Sequence, residues 1–235
     1  MATVKPYSDE DRYLAHEFLM KDPYKNTIMS ALLEESGKNS ILIYDSGIIR
    51  GILAVSPDYR NLWFYGNRAS FRAASDSIGY TEFNLYIDPK NLDIAMNRFN
   101  LSYARILVMR LKIRDYKGNS DPASRLEEKD IPLYGDSFGS VPEYGLTLVE
   151  YRNGTMVAAG GIASINSKSC ALDSVKWIEG NEDAISSIVS GVLSLYGSKT
   201  ENIVIYFNYS ERLKNALESL GFIFTGEIIK LHKKI

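Results

Sequence analysis

One cysteine, Cys170, and two histidines, His16 and His232, are all the chain has of those residues. A lone thiol closes no intramolecular disulfide, so a cross-linked secreted scaffold is excluded and a cytoplasmic setting is the expectation. Neither histidine has a Cys or His neighbour at metal-ligand spacing, and no metal is expected. No apolar run approaches the roughly 20 residues that span a bilayer. Met1 to Lys21 is too polar for a secretory apolar core. With 27 basic against 29 acidic residues the net charge is −2, which gives neither a basic field for nucleic acid nor a polybasic membrane patch. Also missing are a Gly-x-Ser-x-Gly elbow, a Walker loop and a Gly-x-Gly-x-x-Gly turn, which removes the commonest nucleophile and nucleotide signatures.

What the chain does have is ordinary globular composition, 45% apolar and 24% charged over 235 residues, enough for one large or two small cores. Its most informative feature is an internal echo. Leu85-Tyr86-Ile87-Asp88 is answered by Ile205-Tyr206-Phe207-Asn208, 120 positions later. Each is followed by apolar residues at helical spacing, first Leu92, Met96 and Phe99, then Leu213, Leu217 and Leu220. Each helical stretch ends in a stop residue, Asn100 or Gly221, and a further apolar strand. Upstream, Ile43-Tyr44-Asp45-Ser46-Gly47 matches Glu150-Tyr151-Arg152-Asn153-Gly154 as a turn between strands. From turn glycine to repeated tyrosine the spacing is 39 residues in the first half and 52 in the second, which predicts that the first half has lost about a strand or a loop.

The same periodicities place the other elements. Helical spacing covers Asp9 to Glu35, broken near Asp22-Pro23. Strands are expected at 41–44, 48–55, 62–65, 83–88 and 103–113, with helices at 68–78 and 89–99. The second half reads as a helix over 127–138, strands at 146–151, 155–164 and 170–178, a helix over 183–196, and then strand 202–207, helix 210–220 and strand 222–231. The most linker-like stretch is Asp115 to Ser124, so the boundary is expected between a unit at 1–118 and a unit at 119–235. Ala158-Ala159-Gly160-Gly161 allows close approach to a strand, more simply by a packed neighbour than by a ligand. Trp63 and Trp177 read as core or interdomain residues, and Lys230-Leu231-His232-Lys233-Lys234 as a solvated basic tail.

This order resembles the GNAT superfamily of acyl-CoA-dependent N-acyltransferases, in a tandem form with a reduced first unit. The residues that carry the resemblance are Ala216-Leu217-Glu218-Ser219-Leu220-Gly221-Phe222 with Thr225-Gly226-Glu227, and the hairpin run Tyr151 to Gly161. It is best over about residues 125–231. In the first half, Lys21-Asp22-Pro23 and Leu62-Trp63-Phe64-Tyr65-Gly66 look like the reduced unit of tandem members. The implied fold class is α/β, two GNAT-like units with mixed, largely antiparallel sheets flanked by helices.

The resemblance implies acetyl-CoA as donor substrate and an amine as acceptor. The pantetheine arm would enter a gap between splayed strands and pair with strand backbone, placing Ser174, Val175 and Asn208 against it. The pyrophosphate would meet the loop Glu179 to Ala184, with Gly180, Asn181, Asp183 and Ala184 as its contacts. Asp173 is the best-placed base. The family's frequent tyrosine acid falls at Leu217, so Tyr209 is the substitute, with Tyr206 nearby. The acceptor is expected in the cleft between halves.

The loop departs from the family's pattern of Arg or Gln, two residues, Gly, one residue, then Gly or Ala. Glu179 and Glu182 hold the first two positions, and only Ala184 fits. A carboxylate 4 Å from a phosphate costs roughly 4 kcal/mol at an effective dielectric of about 20. A helix N-terminus returns only about 0.3–1 kcal/mol. The carboxylates therefore exclude the pyrophosphate unless they point outward or a basic residue intervenes. The same three acids also suit the first turn of a helix without any ligand. Two further readings stay open: a GNAT-like binding or scaffold protein without transfer activity, and a transferase that takes its acyl group from aminoacyl-tRNA. The chain's acidity argues against the second.

Overall fold

The computed structural model describes residues 2–99, 101–141, 146–165 and 168–233. The chain forms two compact units, one built from Met1–Ile106 and Glu227–Ile235 and the other from Leu107–Gly226. The expected helix stop Asn100 and the tail residue Lys234 lie outside the described residues.

The first unit contains strand β1 (Thr3–Pro6), helices α1 (Arg12–Leu19) and α2 (Thr27–Ser36), and strands β2 (Ile41–Asp45), β3 (Ile48–Val55) and β4 (Asn61–Gly66). Helix α3 (Arg68–Asp76), strand β5 (Phe83–Ile87) and helix α4 (Leu92–Phe99) follow. Strand β6 (Ser102–Lys112) starts in this unit and ends in the second. The second unit continues with β7 (Ser124–Arg125), α5 (Ile131–Phe138), β8 (Leu146–Arg152), β9 (Thr155–Ile165), β10 (Ser169–Trp177), α6 (Ile185–Tyr196), β11 (Asn202–Asn208) and α7 (Glu211–Ser219). Strand β12 (Ile223–Lys233) begins there and returns to the first unit.

Strand order in the first unit is β1-β2-β3-β4-β5-β12, and in the second β6-β11-β10-β9-β8-β7. Neighbours are antiparallel in every pairing described except β4 with β5 and β10 with β11, which are parallel. The hairpins β2–β3 and β8–β9 turn on Ser46-Gly47 and Asn153-Gly154. Their φ values of 53°, 78°, 50° and 76° are the paired left-handed residues of a type I′ turn. Helix α3 starts where the Asn67 side chain accepts the Ser70 N–H at 2.8 Å, and α7 where Ser210 Oγ accepts the Leu213 N–H at 3.3 Å.

Each unit buries a helix against one face of its sheet. In the second unit Ile185, Ile188, Val189 and Val192 of α6 pack with Leu172, Ile203, Ile205 and Phe207 of β10 and β11. Leu213, Leu217 and Phe222 join the same core. In the first unit Phe71 and Ala74 of α3 pack with Leu62, Phe64, Phe83, Leu85 and Ile87. A Cβ on Gly160 would stand 2.8 Å from Ile188 Cγ2, so this glycine admits α6 to the sheet.

One expectation is narrowed and one corrected. The first half has lost no strand: β2, β3, β4, α3 and β5 match β8, β9, β10, α6 and β11 one for one. What it has lost is mainly a loop: residue 67 alone joins β4 to α3 where 178–184 join β10 to α6, and β3, β4 and α3 are each three residues shorter than β9, β10 and α6. Residues 230–233 are not a loose tail either. They are paired β strand, His232 opposite Asn84 and Leu231 opposite Leu85, and Leu231 is fully buried.

Candidate active site in the second unit

The parallel ladder between β10 and β11 runs from Ser169–Asn202 to Leu172–Ile205 and stops there, although β10 continues to Trp177 and β11 to Asn208. Beyond Leu172 the two strands therefore diverge. On its other side β10 pairs with β9 at Asp173–Gly161 and next at Lys176–Ala159, so β10 carries one residue more than its partner. This is a β-bulge, and Ser174 lies in it at φ 54°. A left-handed conformation costs a non-glycine residue about 1–2 kcal/mol. The bulge turns backbone donors and acceptors away from the regular ladder beside the gap, where an extended ligand could use them.

The site residues expected from sequence fall in three places around this gap. Asp173 and Ser174 are half-buried on the bulged lip, with Val175 in the core behind them. Asn208 and Tyr209 are exposed at the end of β11, and the Tyr209 hydroxyl donates to Glu211 Oε2 at 3.1 Å. Tyr206 is buried. Leu217, at the position of the family's acid, is fully enclosed in the core. The third place is the loop from β10 to α6. There Gly180 takes φ 87°, Asn181, Glu182 and Asp183 reach solvent, and Ala184 is buried.

The loop satisfies its own charges. Arg152, at the end of β8, donates to both carboxylate oxygens of Asp183 at 3.2 and 2.8 Å and to Asn181 Oδ1 at 3.4 Å. Those hydrogen bonds outweigh partial burial and hold the Asp183 carboxyl below its usual range. Arg212, in the first turn of α7, donates to Glu179 Oε1 at 3.0 Å. Glu182 Oε1 accepts the Gly180 N–H at 3.3 Å. Glu182 and Asp183 form the 3₁₀ turn that leads into α6, where carboxylates suit the helix dipole. A basic residue does intervene for two of the three acids, and the third occupies a backbone donor of the loop.

Sequence reasoning missed Arg152 and Arg212. They lie 31 and 33 residues from Asp183 and Glu179, on other elements, and no local spacing encodes such a pairing.

The first unit lacks the opening. Its β3–β4 ladder runs without a bulge from Gly51–Gly66 to Val55–Leu62. Where β4 and β5 separate, after Trp63–Tyr86, the rings of those two residues stack at 4.0 Å and 3°. The space left there is ≈ 20 Å³, room for about one water. Matching Leu62–Leu85 with Leu172–Ile205 puts Trp63 where the second unit has Asp173.

Cys170 is wholly buried, and burial pushes its thiol up to about 12, so it is inert. His16 is exposed on α1, and His232 Nδ1 is 3.0 Å from Asn84 Oδ1. Among the described residues no group of three or more His, Cys, Asp or Glu side chains is placed to hold a metal ion. No helix among them is long and apolar enough to cross a membrane.

No protein-family model and no curated protein sequence matches this chain. Solved structures do. A Drosophila protein determined by structural genomics superposes with a TM-score of 0.71 at 13% identity, over 97% of this chain and 98% of its own. A GCN5-related N-acetyltransferase from Sphaerobacter thermophilus gives a TM-score of 0.62 at 12% identity, over 99% and 95%. A tandem GNAT protein from the clavulanic acid biosynthesis pathway gives 0.52 at 10% identity, over 100% and 99%. With a bulged, splayed parallel pair in the second unit and its closed counterpart in the first, this chain has the tandem GNAT fold.

Proposed function

We propose that the second unit is an acyl-CoA-dependent N-acyltransferase centre that moves an acetyl group from acetyl-CoA to an amine, in the cytoplasm. The observation that carries this reading is the gap beyond Leu172–Ile205, with the Ser174 bulge on one lip. Backbone groups of Asp173 to Val175 would pair with the amides of a pantetheine arm as an added strand does. Asp173 would take the proton of the attacking amine, and Tyr209 would give one to the departing thiolate. Gly180, Asn181, Asp183 and Ala184 would lie along the phosphates.

A second reading, a GNAT-like binding protein without transfer activity, is favoured by a separate observation. Glu182 already holds the Gly180 N–H, and Leu217 leaves no acid at the family's usual place. Calorimetry with acetyl-CoA separates the two, followed by thiol release with a panel of amines. Saturation at 100 times Kd should raise stability by about 2.7 kcal/mol. Binding with amine-dependent thiol release supports the transferase. A native chain that does not bind, beside a Glu182→Gly variant that does, supports the inactive fold.

A further inference from the structure

The three loop acids and their two arginines have a consequence beyond the acyl-CoA reading on which it rests. A phosphate-binding loop ordinarily relies on close backbone approach, which needs glycine where this chain has Glu182. Here the loop backbone is partly occupied, since Gly180 N–H goes to Glu182 and Ala184 N–H to the Asn181 carbonyl at 3.0 Å. The cationic groups in contact with the loop are side chains from outside it. Arg152 reaches it from β8 and Arg212 from α7, each ion-paired to a loop carboxylate. The loop follows directly on the bulged strand, so both guanidinium groups lie at the end of the gap where the donor's nucleotide would emerge.

We infer that Arg152 and Arg212 are the phosphate-binding groups of this site, held in reserve by Asp183 and Glu179 and exchanged onto the donor's phosphates when it binds. Both pairs are solvent-exposed, and exposed ion pairs are weak. A phosphate offers the same planar fork more charge and more acceptor oxygens than one carboxylate does. An arginine that turns to a phosphate while staying beside its carboxylate also lessens, without removing, the objection raised by the loop's acids. Repulsion between a carboxylate and a phosphate is relieved when a guanidinium lies between them. Specificity in this arrangement comes from side chains on two flanking elements and not from glycines in the loop.

Calorimetry of the full chain with acetyl-CoA and with S-acetylpantetheine, which lacks the nucleotide and its phosphates, tests this. Arg152→Ala with Arg212→Ala should weaken acetyl-CoA binding about 100-fold, roughly tenfold for each charge-assisted contact, and leave S-acetylpantetheine within about twofold. Glu179→Gln with Asp183→Asn, which frees both arginines and removes two like charges, should tighten acetyl-CoA binding about tenfold or create it where the native chain has none. That second variant keeps the inference falsifiable if the arginine variant does not fold. Acetyl-CoA binding that both double variants leave unchanged overturns the arginine assignment and leaves the acyl-CoA reading standing. If neither the native chain nor the Glu179→Gln, Asp183→Asn variant binds either ligand, the acyl-CoA reading fails and takes this inference with it.

Discussion

Asp11 shows how much one residue can hold in place. Its buried carboxylate accepts from Lys5 Nζ at 2.9 and 3.0 Å, Ser8 Oγ at 2.6 Å, Ser8 N–H at 3.2 Å and Tyr44 hydroxyl at 3.1 Å. These contacts join β1, the start of α1 and β2. Burial by itself would raise the carboxyl's pKa, but the hydrogen bonds from Ser8, Lys5 and Tyr44, with the Lys5 charge, outweigh it and hold the group below the usual carboxylate range. A carboxyl whose folded pKa is depressed stabilises fully above its unfolded value of about 3.9, and that contribution is lost as pH falls through the folded pKa. Asp11→Ala should therefore cost about 1–3 kcal/mol near pH 7, because its partners lose a charged acceptor. The difference from the native chain should shrink below about pH 4. Urea unfolding of both proteins at pH 7 and pH 3.5 checks this, and a difference that does not change with pH would remove the ionised carboxylate from the explanation. Of this network only the Ser8–Asp11 capping box is a spacing that a sequence can report. The rest joins residues up to 33 positions apart through side-chain geometry that no periodicity reports.

Between elements, legibility followed mechanism. The two hairpins were readable because only residues tolerant of positive φ suit their turns, and Ser46-Gly47 and Asn153-Gly154 stand there. Helices α3, α6 and α7 were readable from helical spacing, since each buries one face against the sheet. Strand β1 was not, because all four of its residues are exposed and show no alternation. An edge position explains both that pattern and the presence of Lys5 and Pro6 in it. Nor was the bulge in β10 readable. Leu172-Asp173-Ser174-Val175 does break alternation, with two polar residues between apolar ones, but a broken pattern does not by itself say that a residue is extra, which holds only in relation to β9. If the bulge fixes Ser174 in the left-handed region, a β-branched residue there should be strained and a glycine should not. Ser174→Val should be less stable than Ser174→Gly by about 1–2 kcal/mol in denaturant unfolding. Equal stabilities would mean that β10 relaxes to a regular strand, and the lip proposed to receive the donor would lose its basis.

At the scale of the molecule, the two units are not two successive stretches of chain. The last strand, β12, leaves the second unit after Gly226 and spends Glu227 to Lys233 in the first. There it pairs Ile229 with Ile87, Lys230 with Tyr86 and Leu231 with Leu85. Ile229 and Leu231 are both in the first unit's core. The sequence concealed this, because residues 222–231 read as one uninterrupted strand and the passage from one unit to the other, after Gly226, falls in its middle. The repeat itself was legible, since a duplicated helix and strand keep their spacing whichever unit their neighbours complete. A chain ending at Gly226 should therefore injure the half that is remote in sequence. It would strip the first unit of three buried aliphatic side chains, Ile228, Ile229 and Leu231, each contributing about 1.5–3 kcal/mol, and leave one side of β5 unpaired. Hydrogen exchange should show β4 and β5 losing protection while β8, β9 and β10 keep theirs. Protection lost first from β8 to β10 would show instead that the final strand's main role is to hold the second unit, and Trp63 and Tyr86 would remain protected without it.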